Sequence, residues 1–432
     1  MELTIEKLVY GGDGLARLGS ADSGQRSKTV FIPYVLPGES VEARIVEQHP
    51  GFARAQLERV LKPSDLRSAP PCPYFGQCGG CHYQHASYED QVRFKSEILR
   101  ETMRRIAKLE IEIAMHTHPS PPLNYRNRTR FHVRVDPEFA IGYFRHASHE
   151  LLPVRACPIS SPLINGALNE LWRMAEAKAL PNTVSEIELF ANDIDRRLMA
   201  ELSLRPAGRV DGALKEFARC FTSSLPEVQG ISGFWPSSST TRSAAALIYG
   251  EPAMRYQVLD ETYQVSAGSF FQINRFLISR MVELAIGDQT GSLALDLYSG
   301  VGLFAVPLAR RFERVIAVES SPVSSADLRV NVPENVKVST QMTGRYLHAA
   351  GKMKPDMILV DPPRSGLGSE VCKAIVNLRV NQLVYVSCDP ATLARDLKQL
   401  TAAGFTIAEM HLIDLFPQTF HIESITVLRK GR

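Results

Sequence analysis

GSLALDLYSGVGLFAVPLARRF, residues 291–312, joins an apolar run to a turn with two glycines and then to a helix-like segment. The run from Leu293 to Tyr298 predicts a buried strand. Gly300 and Gly302 then let a ligand approach the backbone at the strand's carboxyl end. Glycine–any–glycine alone is weak evidence. It gains weight from RVIAVESS, residues 314–321, a second strand ending in Glu319. An acid at that position is placed to bind ribose hydroxyls.

The fuller glycine fingerprint is absent, because Ala305 stands where a third glycine would be. That disfavours a pyrophosphate-containing dinucleotide and favours a nucleoside cofactor such as S-adenosylmethionine. Further strand–helix units follow in PDMILVDPPRSG, QLVYVSCDPATLARDLKQL, FTIAEMHLIDLF and IESITVLRK. The alternation predicts a doubly wound, Rossmann-like α/β domain over residues 257–432. Asp361 in VDPPR and Cys388 in VSCDP each end a Val-rich strand and should face the same crevice as the glycine turn. A free cysteine is usually a small inert core residue. Cys388, however, precedes the helix start DPATL, where a helix N-terminus is expected to lower a thiol pKa. Cys220 and Cys372 lack such a setting.

Upstream the pattern changes twice. Residues 1–62 carry short alternating apolar bursts separated by turns such as GGDG, PG and HPG, which predict a small β-barrel. Residues 63–256 begin with a Pro-rich shift and predict a mixed α/β central domain. They include a charged helix over 88–109 whose apolar residues Val92, Ile98, Leu99, Met103 and Ile106 recur at helical spacing. That helix could pack on the catalytic domain. YRNRTRFHVR, Tyr125–Arg134, carries four Arg and no acid. It reads equally as a solvated strand face or a nucleic-acid contact.

The chain has 432 residues, 44% of them hydrophobic and 22% charged, a composition of globular rather than disordered protein. No signal-peptide pattern opens MELTIEKLVYGG, and no apolar run reaches bilayer length, so the expectation is a cytoplasmic protein without a membrane partner. The net charge of +3 selects no partner. Cys72, Cys78 and Cys81 crowd into PCPYFGQCGGCHYQ, with Cys157 following in RACPIS. In a reducing compartment such thiols favour a metal over disulfides. Only one paired C-x2-C knuckle exists, so the spacing leans toward iron–sulfur while leaving zinc open.

FFQIN, DLYSGVG, DPPRSG, VSCDPATLARDL and HIES, in this order, resemble the RNA uracil-5-methyltransferase family, specifically its ribosomal RNA branch. The resemblance covers nearly the whole chain. The N-terminal barrel looks like a TRAM domain, a small RNA-binding unit. CPYFGQCGGC with the later CP resembles the family's iron–sulfur region. The resemblance implies methyl transfer from S-adenosylmethionine to C5 of a uridine in RNA, 23S ribosomal RNA being favoured. Cys388 would be the nucleophile at C6 and Glu423 the base that removes the C5 proton. Gln272, Tyr298, Gly300, Glu319 and Asp361 would hold the cofactor. Cys72, Cys78, Cys81 and Cys157 would hold a four-iron, four-sulfur (4Fe-4S) cluster. Arg126, Arg128 and Arg130 become candidate RNA contacts, and the chain is expected to act as a monomer. Leu303 and Met342–Thr343 depart from the family pattern, so no adenine contact is assigned. A tRNA-directed methyltransferase would use the same catalytic residues. A non-catalytic iron–sulfur RNA-binding factor is the alternative from another class, against which an intact Cys388 and Glu423 weigh.

Overall fold

The computed structural model describes residues 1–18, 28–205, 209–235, 245–351 and 353–431. The N-terminal unit is a six-stranded sheet running from Glu2–Thr4 to Phe52–Lys62. Its two edge strands, Glu2–Thr4 and Lys7–Leu8, are consecutive in the chain. Opposite edges joined by so short a link oblige the sheet to curl on itself. Ile5, Val30, Ile32, Val35 and Val41 fill the interior.

The central unit is a seven-stranded sheet spanning Arg128–Arg134 to Ala246–Gly250. Two amphipathic helices, Pro162–Glu176 and Gly212–Ser224, pack their apolar stripes on it around Leu171, Phe217 and Phe221. Both have a side-chain N-cap, Ser161 and Asp211 respectively.

The C-terminal unit is an eight-stranded, mostly parallel sheet. Its order runs Val336–Thr340, Phe312–Glu319, Gly291–Leu297, Met357–Val360, Gln382–Ser387, Glu423–Lys430, Phe405–Ile413 and Met115–His118. The chain works outward from Gly291–Leu297 in one direction and then returns on its other side. The crevice of a doubly wound sheet opens at that reversal.

The last strand of that order comes from within residues 63–256, the span expected to form the central domain, whose helix over 88–109 was expected to be able to pack on the catalytic domain. Met115–His118 pairs in parallel with Met410–Ile413, and the preceding helix buries Phe94, Ile98 and Leu99 in the same core as Leu383 and Leu393. Residues 88–118 thus belong to the C-terminal unit. The helix itself runs Tyr88–Thr102 and then widens into a π-helical turn, Met103–Ala107. That turn shifts the register, so Met103 and Ala107 are buried while Ile106, expected in the core, is exposed. Among the described residues no helix is long and apolar enough to cross a membrane.

Candidate active site

Register alone gathers the site. Leu297 pairs with Val318 on one side and Val360 on the other, and Val360 pairs with Tyr385. Tyr298, Glu319, Asp361 and Cys388 therefore leave the sheet at a common edge. The strand Glu423–Lys430 runs antiparallel to Gln382–Ser387 with Ser424 opposite Ser387. Its first residue, Glu423, arrives where the parallel strands end.

Toward the reversal point the backbone turns sharply, with φ of +66° at Tyr298, +56° at Gly300 and +97° at Gly302. A Cβ on Gly302 would stand 2.8 Å from Leu328 Cδ1, whereas one on Gly300 would meet nothing within 4 Å. Gly302 is needed for packing, and Gly300 leaves open space in front of the chain. Tyr298 takes a left-handed conformation that costs about 1–2 kcal/mol for a residue with a Cβ. Its ring packs on the core and its hydroxyl meets Thr343, which offsets that cost. The Gly300 N–H donates to Glu319 Oε2 at 2.9 Å and the Ser321 N–H to Oε1 at 2.6 Å. The carboxylate is thereby oriented, with lone pairs left to accept from two neighbouring hydroxyls.

Asp296 lies beneath this turn and was not singled out from sequence. It is fully buried, and neither side-chain oxygen has a hydrogen-bond partner of ordinary geometry. Burial, with the Asp361 and Glu319 carboxyls beside it, pushes it up to about 8. An acid inside an apolar run, LALDLY, was the available signal.

Cys388 is half-buried between its strand and the helix Pro390–Ala402. The expected lowering of its pKa does not hold. Asp389 is the N-cap, its carboxylate accepting from the Ala391 and Thr392 N–H groups at 3.0 and 2.8 Å. The helix end thus spends its free donors on an anion next to the sulfur. Burial, then the Glu423 and Asp361 carboxyls, push the thiol up to about 12, with the Arg364 guanidinium opposing. Glu423 is fully buried and held well above the carboxylate range by burial and Asp361, again against Arg364. Burial pushes Asp361 up to about 7. A thiol, two proton-holding carboxyls and an exposed cation can together form a bond to an electrophilic carbon and move a proton.

The N-terminal barrel also reaches this site. Tyr10 donates its hydroxyl to the Cys388 carbonyl at 3.4 Å and sets its ring edge-on to Phe420, centroids 5.6 Å apart. Nothing in the sequence marks Tyr10. Gln272 is buried in the loop after the strand Glu261–Ser266. Its neighbour Asn274 anchors that loop, donating to Ser120 Oγ at 3.0 Å and the Leu415 carbonyl at 3.1 Å. Among the described residues no hydrogen bond joins the Gln272 side chain to the rest of the site.

The four clustered cysteines line one cavity of about 210 Å3, with Arg126 and Tyr143 also in its wall. Cys78 is pushed up to about 11 by burial and by Cys157 and Cys72, and Cys81 is raised by burial and by all three other thiols. The Gly80 N–H points at Cys78 Sγ, 3.4 Å away. Cys157 is fixed by Asn165, which accepts from its N–H at 2.8 Å and donates to its carbonyl at 3.0 Å. Among the described residues no group of three or more His, Cys, Asp or Glu is arranged to hold a single metal ion.

The Arg-rich strand is corrected in part. Arg128 pairs with Glu188 and, at 2.9 Å, with Glu201, and also donates to the Ser269 carbonyl at 2.6 Å. Its side chain is 11% exposed, which leaves no free face for a phosphate. Arg130 bonds Glu188 at 2.5 Å but stays 42% exposed. Arg126 donates to the Arg128 carbonyl at 2.9 Å beside the thiol cavity. The acids that neutralise this strand come from its neighbours in the sheet, which its own sequence does not show.

Comparisons with known proteins agree with this architecture. A family model described as tRNA (Uracil-5-)-methyltransferase matches residues 87–431, and one for the TRAM domain matches residues 1–57. An "uncharacterized RNA methyltransferase" of Aquifex aeolicus is 31% identical, covering 99% of this chain and 98% of its own. A Vibrio parahaemolyticus protein named 23S rRNA (uracil(1939)-C(5))-methyltransferase RlmD is 30% identical, covering 99% and 95%. In fold the chain is similar to the tRNA (uracil-54, C5)-methyltransferase of Pyrococcus abyssi, solved with S-adenosyl-L-homocysteine. The TM-score is 0.78 at 24% identity, over 99% of this chain and 100% of that one.

Proposed function

The chain belongs to the tRNA (uracil-5-)-methyltransferase family, and from that premise we propose that it methylates C5 of a uridine in 23S ribosomal RNA through a covalent Cys388–C6 adduct. The observation that carries this reading is the meeting of Cys388 and Glu423, next to Asp361, at one sheet edge.

Uracil C5 is too weak a nucleophile to attack a sulfonium methyl unaided. The Cys388 thiol loses its proton to solvent, the thiolate adds to C6, and the electron pair of the C5–C6 double bond passes into an enolate. C5 is then electron-rich. S-adenosylmethionine, for which the Gly300 turn and Glu319 offer a cradle, would supply the methyl group to C5, its S–CH3 bond breaking as S-adenosylhomocysteine leaves. Glu423, ionised by losing its own proton to solvent before this step, takes the C5 proton, the C5–C6 double bond reforms, and the C6–S bond breaks to return the pair to sulfur. A carboxylate with a raised pKa is the stronger base once ionised. Arg364 at the opening offers charge to stabilise the departing or attacking thiolate. A uridine in folded RNA must leave its stack to reach this crevice.

Four thiols around one cavity, raised by one another, support a resident metal group at Cys72, Cys78, Cys81 and Cys157. Four thiolates suit either tetrahedral zinc or a 4Fe-4S cluster, and the single C-x2-C pair, Cys78 and Cys81, favours the cluster. Such a cluster would replace the thiol protons and hold the segment folded.

The ribosomal target is supported by full-length relatives of that name, and the tRNA alternative by the description of the matching family model. Incubation with labelled S-adenosylmethionine and separate rRNA and tRNA pools lacking the modification tests both. Label at a 23S uridine is expected. Label in tRNA alone would transfer the assignment, and label in neither pool would defeat it.

A further inference from the structure

The two strands Phe405–Ile413 and Glu423–Lys430 are antiparallel neighbours, yet the connection between them, residues 414–422, is longer than a tight hairpin. It delivers Glu423 to the crevice, and what holds it comes from far upstream. The backbone N–H groups of His82 and Tyr83, the two residues directly after Cys81, both donate to the Gln418 carbonyl, at 2.8 and 3.0 Å. Gln91 engages both ends of its amide with Gln418 of the same loop. Its Oε1 accepts from the Gln418 N–H at 3.0 Å, while its Nε2 donates to Gln418 Oε1 and to the Ala86 carbonyl, each at 3.0 Å. Gln91 is 1% exposed and Gln418 5%. One turn further along the helix, Lys95 Nζ donates to Asp414 Oδ1 at 2.6 Å and to the Phe416 carbonyl at 2.9 Å. Tyr125 adds its hydroxyl to the Pro417 carbonyl at 3.0 Å.

Gln418 itself sits at φ +69°, a conformation a residue with a Cβ keeps only where its surroundings over-determine it. Gln91 and the His82–Tyr83 backbone supply that determination. We propose that this clasp exists to place the base: Gln91 is a positioning residue for Glu423, and through His82 and Tyr83 the thiol-bearing segment is wired to the proton-removal half of the reaction. The inference rests on the reading of Glu423 as base. Among the described residues no hydrogen bond joins Gln91, Gln418, His82 or Tyr83 to Cys388, whose carbonyl the loop meets only through the Phe420–Tyr10 ring contact, so the sulfur can add and the methyl group can transfer while Gln418 is slack. The later step, in which the C5–H bond breaks toward Glu423 and the C6–S bond is released, requires the carboxylate in register with C5.

The test uses the full metal-loaded chain and unmodified RNA, with Gln91→Leu, Gln91→Asn and a Glu423→Gln control. Single-turnover quenching reads methyl incorporation, and denaturing gels read RNA still bonded to protein. Because a misplacement near 1 Å can cost up to about 100-fold, release of methylated RNA is expected to slow about 10- to 100-fold in Gln91→Leu, with less in Gln91→Asn. Methyl incorporation should stay within about twofold of wild type, and covalent complex should build up as in Glu423→Gln. A merely structural Gln91 would slow both steps together and leave no complex, which overturns the proposal. So does unchanged release in the variant that folds. If Glu423→Gln itself accumulates no complex, the base assignment falls first and the failure is traced to that reading.

Discussion

The thiol cavity and the Cys388 crevice raise the same chemical group with different neighbours. At Cys78 and Cys81 burial comes first, and the other upward pressure is thiol on thiol. At Cys388 burial again leads, but the pressure comes from the Glu423 and Asp361 carboxyls, and Arg364 pushes back. A multivalent cation among four thiols relieves their repulsion and takes the place of their protons in one stroke. A thiol among carboxyls can instead pass its proton along and be restored. In the roles proposed above, the identity of the neighbours, and not the size of the shift, would separate a ligand from a nucleophile.

Removing one thiol from each region should therefore fail in different ways. Cys388→Ala is expected to lose methyl transfer by about 10⁴-fold or more, as when an attacking group is deleted elsewhere. RNA carrying 5-fluorouridine should trap the native chain covalently, since fluorine cannot leave C5 as a proton does. The variant should form no adduct yet keep its metal content and melting temperature. A Cys388→Ala chain that still methylates at near-native rate ends the nucleophile assignment. Cys81→Ser should do the reverse. If the proposed cluster is resident, visible absorbance and iron should be lost together, and stability should fall by on the order of 5 kcal/mol, because the affinity of such a group would be folding free energy. Colourless native protein with stoichiometric zinc would replace the cluster by an ion.

What the sequence disclosed follows the same division between local and distant. The glycine turn, Glu319, Asp361 and Cys388 were legible because each sits at a strand end that its own few neighbours define. Glu423 was legible only through the family resemblance. The strand Met115–His118 was not legible, since its partner Met410–Ile413 lies far along the chain. Lys95 reads as a solvated charge until Asp414 appears beside it, both without exposure. Arg128 reads as a phosphate contact until Glu188 and Glu201 claim it. Asp296 was not legible because it sits inside an apolar run that reads as one continuous buried strand.

Asp296 sharpens the comparison on the cofactor side, where a buried acid has no thiol to answer to. Its folded value of about 8 stands above the ordinary 3.8. Between those values the folded chain holds a proton that the unfolded chain has lost. Its contribution to stability is therefore full below about pH 4 and declines as pH rises through 8. Asp296→Asn cannot ionise and should flatten the fall in melting temperature between pH 5 and 9. At pH 9 it should exceed the native chain by on the order of 2 kcal/mol. Thermal melts across that range decide it, and parallel slopes for the two chains would show that Asp296 ionises without strain.

The smallest effect is the sharpest control on the neighbours argument. Cys372, in the helix Gly368–Asn377, is 1% exposed and packed in the core. Burial first, then Asp396, push it up to about 12, the value Cys388 also reaches. If the shift made a nucleophile, Cys372 would be one. Its charged neighbours are Asp396 and Arg395 rather than Glu423, Asp361 and Arg364, and the Asp396 beside it is already engaged by the Tyr385 hydroxyl at 2.9 Å and the Leu367 N–H at 2.7 Å. Cys372→Ala should therefore cost only about 1 kcal/mol, the loss of one small buried group. Metal content and the yield of the 5-fluorouridine adduct should not change. Alkylation of the native chain by iodoacetamide should reach the half-buried Cys388 well before Cys372, with protection of Cys388 by bound RNA. Equal labelling of the two, or a loss of adduct in Cys372→Ala, would mean that burial rather than the company of Glu423, Asp361 and Arg364 sets the reactivity of thiols in this protein.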